Sequence, residues 1–190
     1  MQEKFVTAVS ALERLKEGNK TYLSAEKNSG DISPRMRLYT SQHGQAPFAV
    51  IVGCADSRVI PESIFSAGIG ELFVIRVAGN VIDNYQMGSI EYAVEHLGCR
   101  LVVVMGHTGC GAVGAALKEN SGYLKYITDE IKCAVGTEAD SAKASILNVQ
   151  RSVHKIQERL PKTEGVLVTG ALYHTDSGVV DFCLPSEKER

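Results

Sequence analysis

Three side chains in this sequence could hold a single metal ion. Cys54 stands in Gly53-Cys54-Ala55-Asp56-Ser57-Arg58, and His107 and Cys110 share Gly106-His107-Thr108-Gly109-Cys110-Gly111. Two thiolates and an imidazole suit the borderline-soft zinc ion, and three protein donors leave its fourth tetrahedral position open. A structural zinc would be closed by a fourth Cys or His, and none stands at short spacing. The pattern favours a catalytic Zn2+, one per chain. Asp56 and Arg58 add a second layer. If the chain stays extended after Cys54, alternation puts Cys54, Asp56 and Arg58 on one side. Asp56 could then ligate the metal, accept a hydrogen bond from bound water, or be held off the metal by a bidentate pair with Arg58.

Other chemistries fit less well. Gly109-Cys-Gly-Ala-Val-Gly114 reads as G-x-G-x-x-G between a predicted strand and a predicted helix. A dinucleotide site also needs a second strand soon afterwards, ending in an acidic residue about 20 positions on. Here the next strand waits until Val166, so close packing of helix on strand and around a metal explains the glycines better. A cysteine nucleophile with His107 as base leaves one thiol, Asp56 and Arg58 without a role. Cys99, Cys133 and Cys183 read as small buried hydrophobes, and His43, His96, His154 and His174 as surface or satisfied core residues.

The elements that must position these groups are legible in the hydrophobic pattern. Phe5, Val9, Leu12 and Leu15 recur at helical spacing, with Gly18 and Asn19 as stop signals. Ser24 to Ile32 reads as a loop. Ser33-Pro34 opens a short helix that Gly44 closes. Residues 1–44 thus form a helical arm, placed to pack on a partner subunit, before an α/β core over 45–190. Phe48–Val52, Leu72–Ile75 and Leu101–Val104 are short apolar runs of the kind buried on both faces of a parallel sheet. Helices are predicted between them, at Pro61–Ala67 and Gly88–Leu97. A mostly helical stretch from Ala112 to Leu160 is interrupted near Asn120-Ser121-Gly122 and Gly136–Asp140. Val166–Tyr173 supplies a fourth parallel strand, and Val179–Cys183 an antiparallel edge strand. Cys54 and His107 each follow a strand, where ligand sites of open parallel sheets collect. Cys110 opens a helix whose N–H groups would favour a thiolate.

Composition sets outer bounds. With 190 residues, 44% of them hydrophobic and 22% charged, the chain suits one domain with an ordinary core. A net charge of -2 gives no case for nucleic acid or an anionic membrane. Five scattered cysteines argue against a disulfide framework. No run is apolar enough to span a bilayer, and Met1-Gln2-Glu3-Lys4 leads into a charged amphipathic stretch without a signal core. The expectation is a cytoplasmic protein.

Cys54-Ala-Asp-Ser-Arg-Val59, Glu71-Leu-Phe-Val-Ile-Arg-Val-Ala-Gly-Asn80, Ser89-Ile-Glu-Tyr-Ala-Val94 and Gly106-His-Thr-Gly-Cys-Gly-Ala112 resemble β-class carbonic anhydrases. The resemblance is dense from Pro47 to Val113 and looser around Asn148-Val-Gln-Arg and the terminal hairpin. It implies zinc on Cys54, His107 and Cys110, with Asp56 and Arg58 as a dyad that orients or gates the fourth position. Asp56 itself would be the fourth ligand in a closed state. It implies a pocket for CO2 and bicarbonate that includes Gln45, Phe73, Tyr92 and Gly109 and is shared between two subunits, hence a homodimer or higher homo-oligomer. Ile51 stands where one subgroup carries the tryptophan of an inhibitory bicarbonate site, although Arg76 of that site is matched. The alternatives are a sister zinc hydrolase acting on COS or CS2, and a non-catalytic zinc or thiol sensor.

Overall fold

A computed structural model describes residues 6–118, 122–160 and 163–182. The expectations for Met1 to Phe5, Asn120-Ser121 and Cys183 concern residues outside these ranges. The chain runs α1 (Ala8–Ser24), α2 (Pro34–His43), β1 (Ala49–Gly53), α3 (Pro61–Ile64), β2 (Leu72–Arg76), a 3-10 turn at Ala78–Asn80, α4 (Asn84–Glu95), β3 (Leu101–His107), α5 (Gly111–Ala116), α6 (Leu124–Val135), α7 (Ser141–Arg159), β4 (Leu167–Tyr173) and β5 (Val180–Asp181). The sheet order is β2-β1-β3-β4-β5. The first four strands pair in parallel, and β5 pairs antiparallel with β4. This is the α/β sheet expected, with an antiparallel edge. No described helix is long and apolar enough to cross a membrane.

Every residue of β1 and β3 is buried, which is why their sequences read as continuous apolar runs. Alternation sends Ile51, Val103 and Met105 to one face, against Ala11, Leu15 and Ile64. Val50, Val52, Val102 and Val104 go to the other, against Ile90 and Val94 of α4 and Val149 and Ile156 of α7. Each such side chain contributes roughly 1.5–3 kcal/mol on burial. The sheet is therefore rigid at the strand ends that carry the functional residues.

The N-terminal region departs from its expected form. Gly18 and Asn19 do not end α1 but lie inside it. A Cβ on Gly18 would sit 2.0 Å from the Phe65 carbonyl oxygen, so glycine is there for close approach. Asn19 is buried and donates to the Ile64 and Gly178 carbonyls at 3.2 and 2.9 Å, while its own oxygen accepts from Val180 N at 3.0 Å. Tertiary contact has overridden two local stop signals. As a result α1 is stapled to the core, with Ala11 and Leu15 fully buried. In contrast α2 buries no residue. Ser33 caps α2 by accepting from Met36 N, Pro34 follows at the first turn, and Gly44 closes it at φ +81°, as expected.

Candidate metal centre

The sheet order places a topological switch between β1 and β3, since β2 lies on one side of β1 and β3 on the other. Loops leaving the two carboxyl ends diverge there and open a crevice. Cys54 is the first residue after β1, and His107 is the last residue of β3. The strand thus runs three residues further than its apolar run suggested. Cys110 is the N-cap of α5, where the Val113 and Ala112 N–H groups favour its thiolate. All three side chains are buried, and their donor atoms lie within 4.8 Å of one another.

Their geometry fits a tetrahedral metal. The Cys54 and Cys110 sulfurs are 4.0 Å apart, against about 3.8 Å for two thiolates on one tetrahedral zinc with bonds of about 2.3 Å. His107 Nδ1 pairs with the Thr108 carbonyl at 3.0 Å, which fixes the tautomer. Its Nε2 is buried with no hydrogen-bond partner among the described residues. A buried polar nitrogen left in this way costs free energy unless something else binds it. The two thiols shift each other's acidity in opposite directions. Cys54 is drawn down to about 4, first by the hydrogen bond from Cys110 and against burial, and further by His107 and the Gly79 N–H. Cys110 is driven up by Cys54 and by burial. Thiolates held this close are the donors that a soft divalent cation binds.

Asp56 and Arg58 meet beside this cluster, though not by strand alternation. The chain turns after Asp56: Arg58 N donates to Asp56 Oδ1 at 2.9 Å and Val59 N to the Asp56 carbonyl at 3.0 Å. The turn folds the guanidinium back onto the carboxylate, with Nε on Oδ1 at 2.9 Å and Nη2 on Oδ2 at 2.7 Å. These bonds hold the Asp56 carboxyl well below the usual carboxylate range, against its partial burial. Asp56 Oδ2 lies 3.9 Å from His107 Nε2, facing the ligand cluster. Arg58 Nη2 also donates to the Gly109 carbonyl at 3.2 Å, and Gly109 has φ +65°. Arg76 donates to the Cys54 carbonyl at 3.0 Å and the Asp56 carbonyl at 2.7 Å, so its guanidinium clamps this loop.

The remaining sequence-predicted positions sort differently. Gln45 is exposed and precedes β1, five strand residues and about 17 Å from the end that carries Cys54. Phe73 pairs with Val50 near the same far end, and its ring lies 6.2 Å from that of Tyr92 on α4, which is 47% exposed. One chain therefore does not bring Gln45, Phe73 and Tyr92 to its own ligand cluster. Close packing does not account for the glycines after the ligands either. A Cβ at Gly109, Gly111 or Gly114 would meet nothing within 4 Å, whereas one at Gly106 would lie 2.6 Å from Val149 Cγ2. Only Gly109 of the first three has a conformational reason, its positive φ. Cys99 is buried as expected and donates to the Pro47 carbonyl, but Cys133 is exposed, on the polar face of α6. Sequence reasoning passed over the Gly79 N–H, which donates to Cys54 Sγ at 3.3 Å. The Gly79-Asn80 turn signal was its only trace.

A buried Cys-His-Cys cluster able to hold one metal ion stands at the β1/β3 switch of a parallel α/β sheet, flanked by a carboxylate–guanidinium pair. Residues 49–180 match the family profile described as carbonic anhydrase. Carbonic anhydrase 2 of Mycobacterium tuberculosis is 38% identical over 188 residues, covering 90% of each chain. The carbonic anhydrase of Mycolicibacterium smegmatis is 35% identical over 92% of each. Among solved structures, a tetrameric β-carbonic anhydrase of Sordaria macrospora superposes with a TM-score of 0.70 at 25% identity, covering 78% of this chain and 86% of its own. The Coccomyxa β-carbonic anhydrase in complex with acetazolamide gives 0.66 at 26% identity, with coverage of 80% and 86%. The chain belongs to the carbonic anhydrase family, in its β class.

Proposed function

We propose that this chain is a zinc enzyme that interconverts CO2 and water with bicarbonate and a proton, its metal held by Cys54, His107 and Cys110. The observation that carries this is the orphaned His107 Nε2 facing two thiol sulfurs at a tetrahedral spacing. Bound there, zinc supplies a hydroxide nucleophile near neutral pH, as the metal does in the three-histidine carbonic anhydrases. The rest falls to side chains of this chain. Asp56, kept ionised by Arg58, would accept a hydrogen bond beside the ligand cluster and so orient the attacking oxygen toward CO2. Arg58, anchored on Gly109, holds that carboxylate back from the metal. If the Arg58 pair were released, Asp56 could occupy the fourth position itself and close the site. Arg76, spent on the Cys54 and Asp56 carbonyls, supports the ligand loop.

Gln45, Phe73 and Tyr92 take part only if a second copy presents them. Their distance from the same chain's ligands and the bare surface of α2 both support a shared pocket, hence a homodimer as the smallest active unit. The charge balance and the absence of a described membrane-crossing helix are in keeping with a cytoplasmic enzyme. Substrate choice is tested by comparing hydration of CO2 with hydrolysis of COS and CS2 by the zinc-loaded protein. CO2 turnover that exceeds both supports the assignment. Turnover of COS or CS2 alone would move the chain to the sister hydrolases, and none with zinc bound to a sensor.

A further inference from the structure

We infer that Asn148 is a positioning residue of the metal centre, acting on Cys54 through the backbone of Gly79. This rests on the reading of Cys54 as a metal ligand. The segment Gly79–Asn80 has two successive residues in the left-handed region, at φ +70° and +45°. Backbone of that shape pairs with neither a helix nor the sheet, so its carbonyls need other donors. Helix α7 supplies them. Asn148, Ser152 and Lys155 lie at i, i+4 and i+7, on one helical face. They donate to the carbonyls of Gly79, Asn80 and Ile82 at 2.7, 3.3 and 2.6 Å.

Asn148 is the member of this row that bears on the metal. It is 2% exposed, and its amide is spent on the carbonyl of Gly79, whose N–H donates to Cys54 Sγ. Gly79 is also confined sterically, since a Cβ there would lie 2.7 Å from Ile131 Cδ1 and 3.1 Å from Ala112 Cβ. Held at its carbonyl by Asn148 and packed against Ala112 of α5 and Ile131 of α6, Gly79 is seated with its N–H on Cys54 Sγ. Such a bond withdraws charge from a thiolate and orients it on its metal, as partners beyond the ligands generally do. The buried asparagine on α7 thereby sets the donor strength of a ligand at the end of β1.

The test uses full-length protein loaded with cadmium-113, whose nuclear spin couples through a thiolate into an amide proton hydrogen-bonded to it. The wild-type protein should show coupling between cadmium and the Gly79 amide proton. Asn148→Leu should abolish that coupling and weaken cadmium binding about tenfold against a chelating dye. Asn148→Ala removes the same donor with less crowding and serves if the leucine variant does not fold. Ser145→Ala, on the same helix and bonded to the Ser141 carbonyl of that helix, should leave both readouts unchanged. Coupling and affinity retained in an Asn148 variant would overturn the proposal. So would wild-type protein in which the cysteine β-protons couple to cadmium and the Gly79 amide does not. Failure of cadmium to bind at all would instead overturn the metal-site reading itself.

Discussion

Asp56 carries a charge that the fold goes to some length to keep. Two bonds from the Arg58 side chain and one from its backbone converge on the carboxylate, and the folded state favours its ionised form far below neutral pH. Protonation therefore cannot be what Asp56 does at working pH; accepting a hydrogen bond can. Asp56→Asn keeps the shape but replaces one acceptor oxygen with a donor. Turnover is expected to fall by about 100-fold or more with bound metal unchanged, read by stopped-flow hydration and metal analysis. Full activity in that variant would remove Asp56 from the reaction. The pairing of Asp56 with Arg58 was legible from their spacing, but the mechanism of pairing was not. A side-chain-capped turn and an extended strand both bring positions 56 and 58 together, and the hydrogen bond that decides between them is invisible in residue types.

At the scale of elements, the strands were the most legible part because β1 and β3 are buried on both faces and have no polar position to interrupt the run. Helix α1 was the least legible. Glycine and asparagine are poor helix interiors in isolation, and only the approach of the Phe65 carbonyl and the three partners of Asn19 reverse that preference. Gly18→Ala would stabilise an exposed helix by about 1 kcal/mol. Here the added Cβ meets backbone at 2.0 Å. We expect a loss of about 1–3 kcal/mol in denaturant unfolding from overpacking, and a gain would show that α1 is not seated on α3. The Cys54, His107 and Cys110 cluster was legible for a different reason: donor chemistry leaves few residue types, and the sheet's carboxyl edge gathers them from distant segments. Cys133 shows the limit, since a cysteine's burial follows from the helix face it occupies and not from its type.

For the whole molecule, two consequences follow from what is buried and what is bare. Burial pushes the Cys99 thiol up to about 11, and burial together with the Tyr22 hydroxyl pushes Tyr173 up to about 12. Both groups remain neutral in the folded chain after their unfolded counterparts begin to ionise, at about 8.5 and 10. The unfolded state then binds fewer protons, so stability is full below about pH 8.5 and declines through about pH 12, at up to about 1.4 kcal/mol per pH unit for each group. Unfolding followed by denaturant across that range should show the decline, and Cys99→Ala with Tyr173→Phe should flatten it. A profile unaffected by the two substitutions would contradict this origin. The second consequence is assembly. With α2 bare and Gln45, Phe73 and Tyr92 remote from the Cys-His-Cys cluster, sedimentation of the active protein should find a dimer or larger species; an active monomer would refute the proposed shared pocket. The central claim, a metal-activated nucleophile oriented by Asp56, is tested most directly by stopped-flow CO2 hydration with the zinc-loaded protein from about pH 6.5 to 9. Two thiolates give the metal more negative charge than imidazoles would, so activity is predicted to be low at the acid end and to rise toward alkaline pH. A flat profile, or none of this activity with zinc confirmed at Cys54, His107 and Cys110, would contradict it.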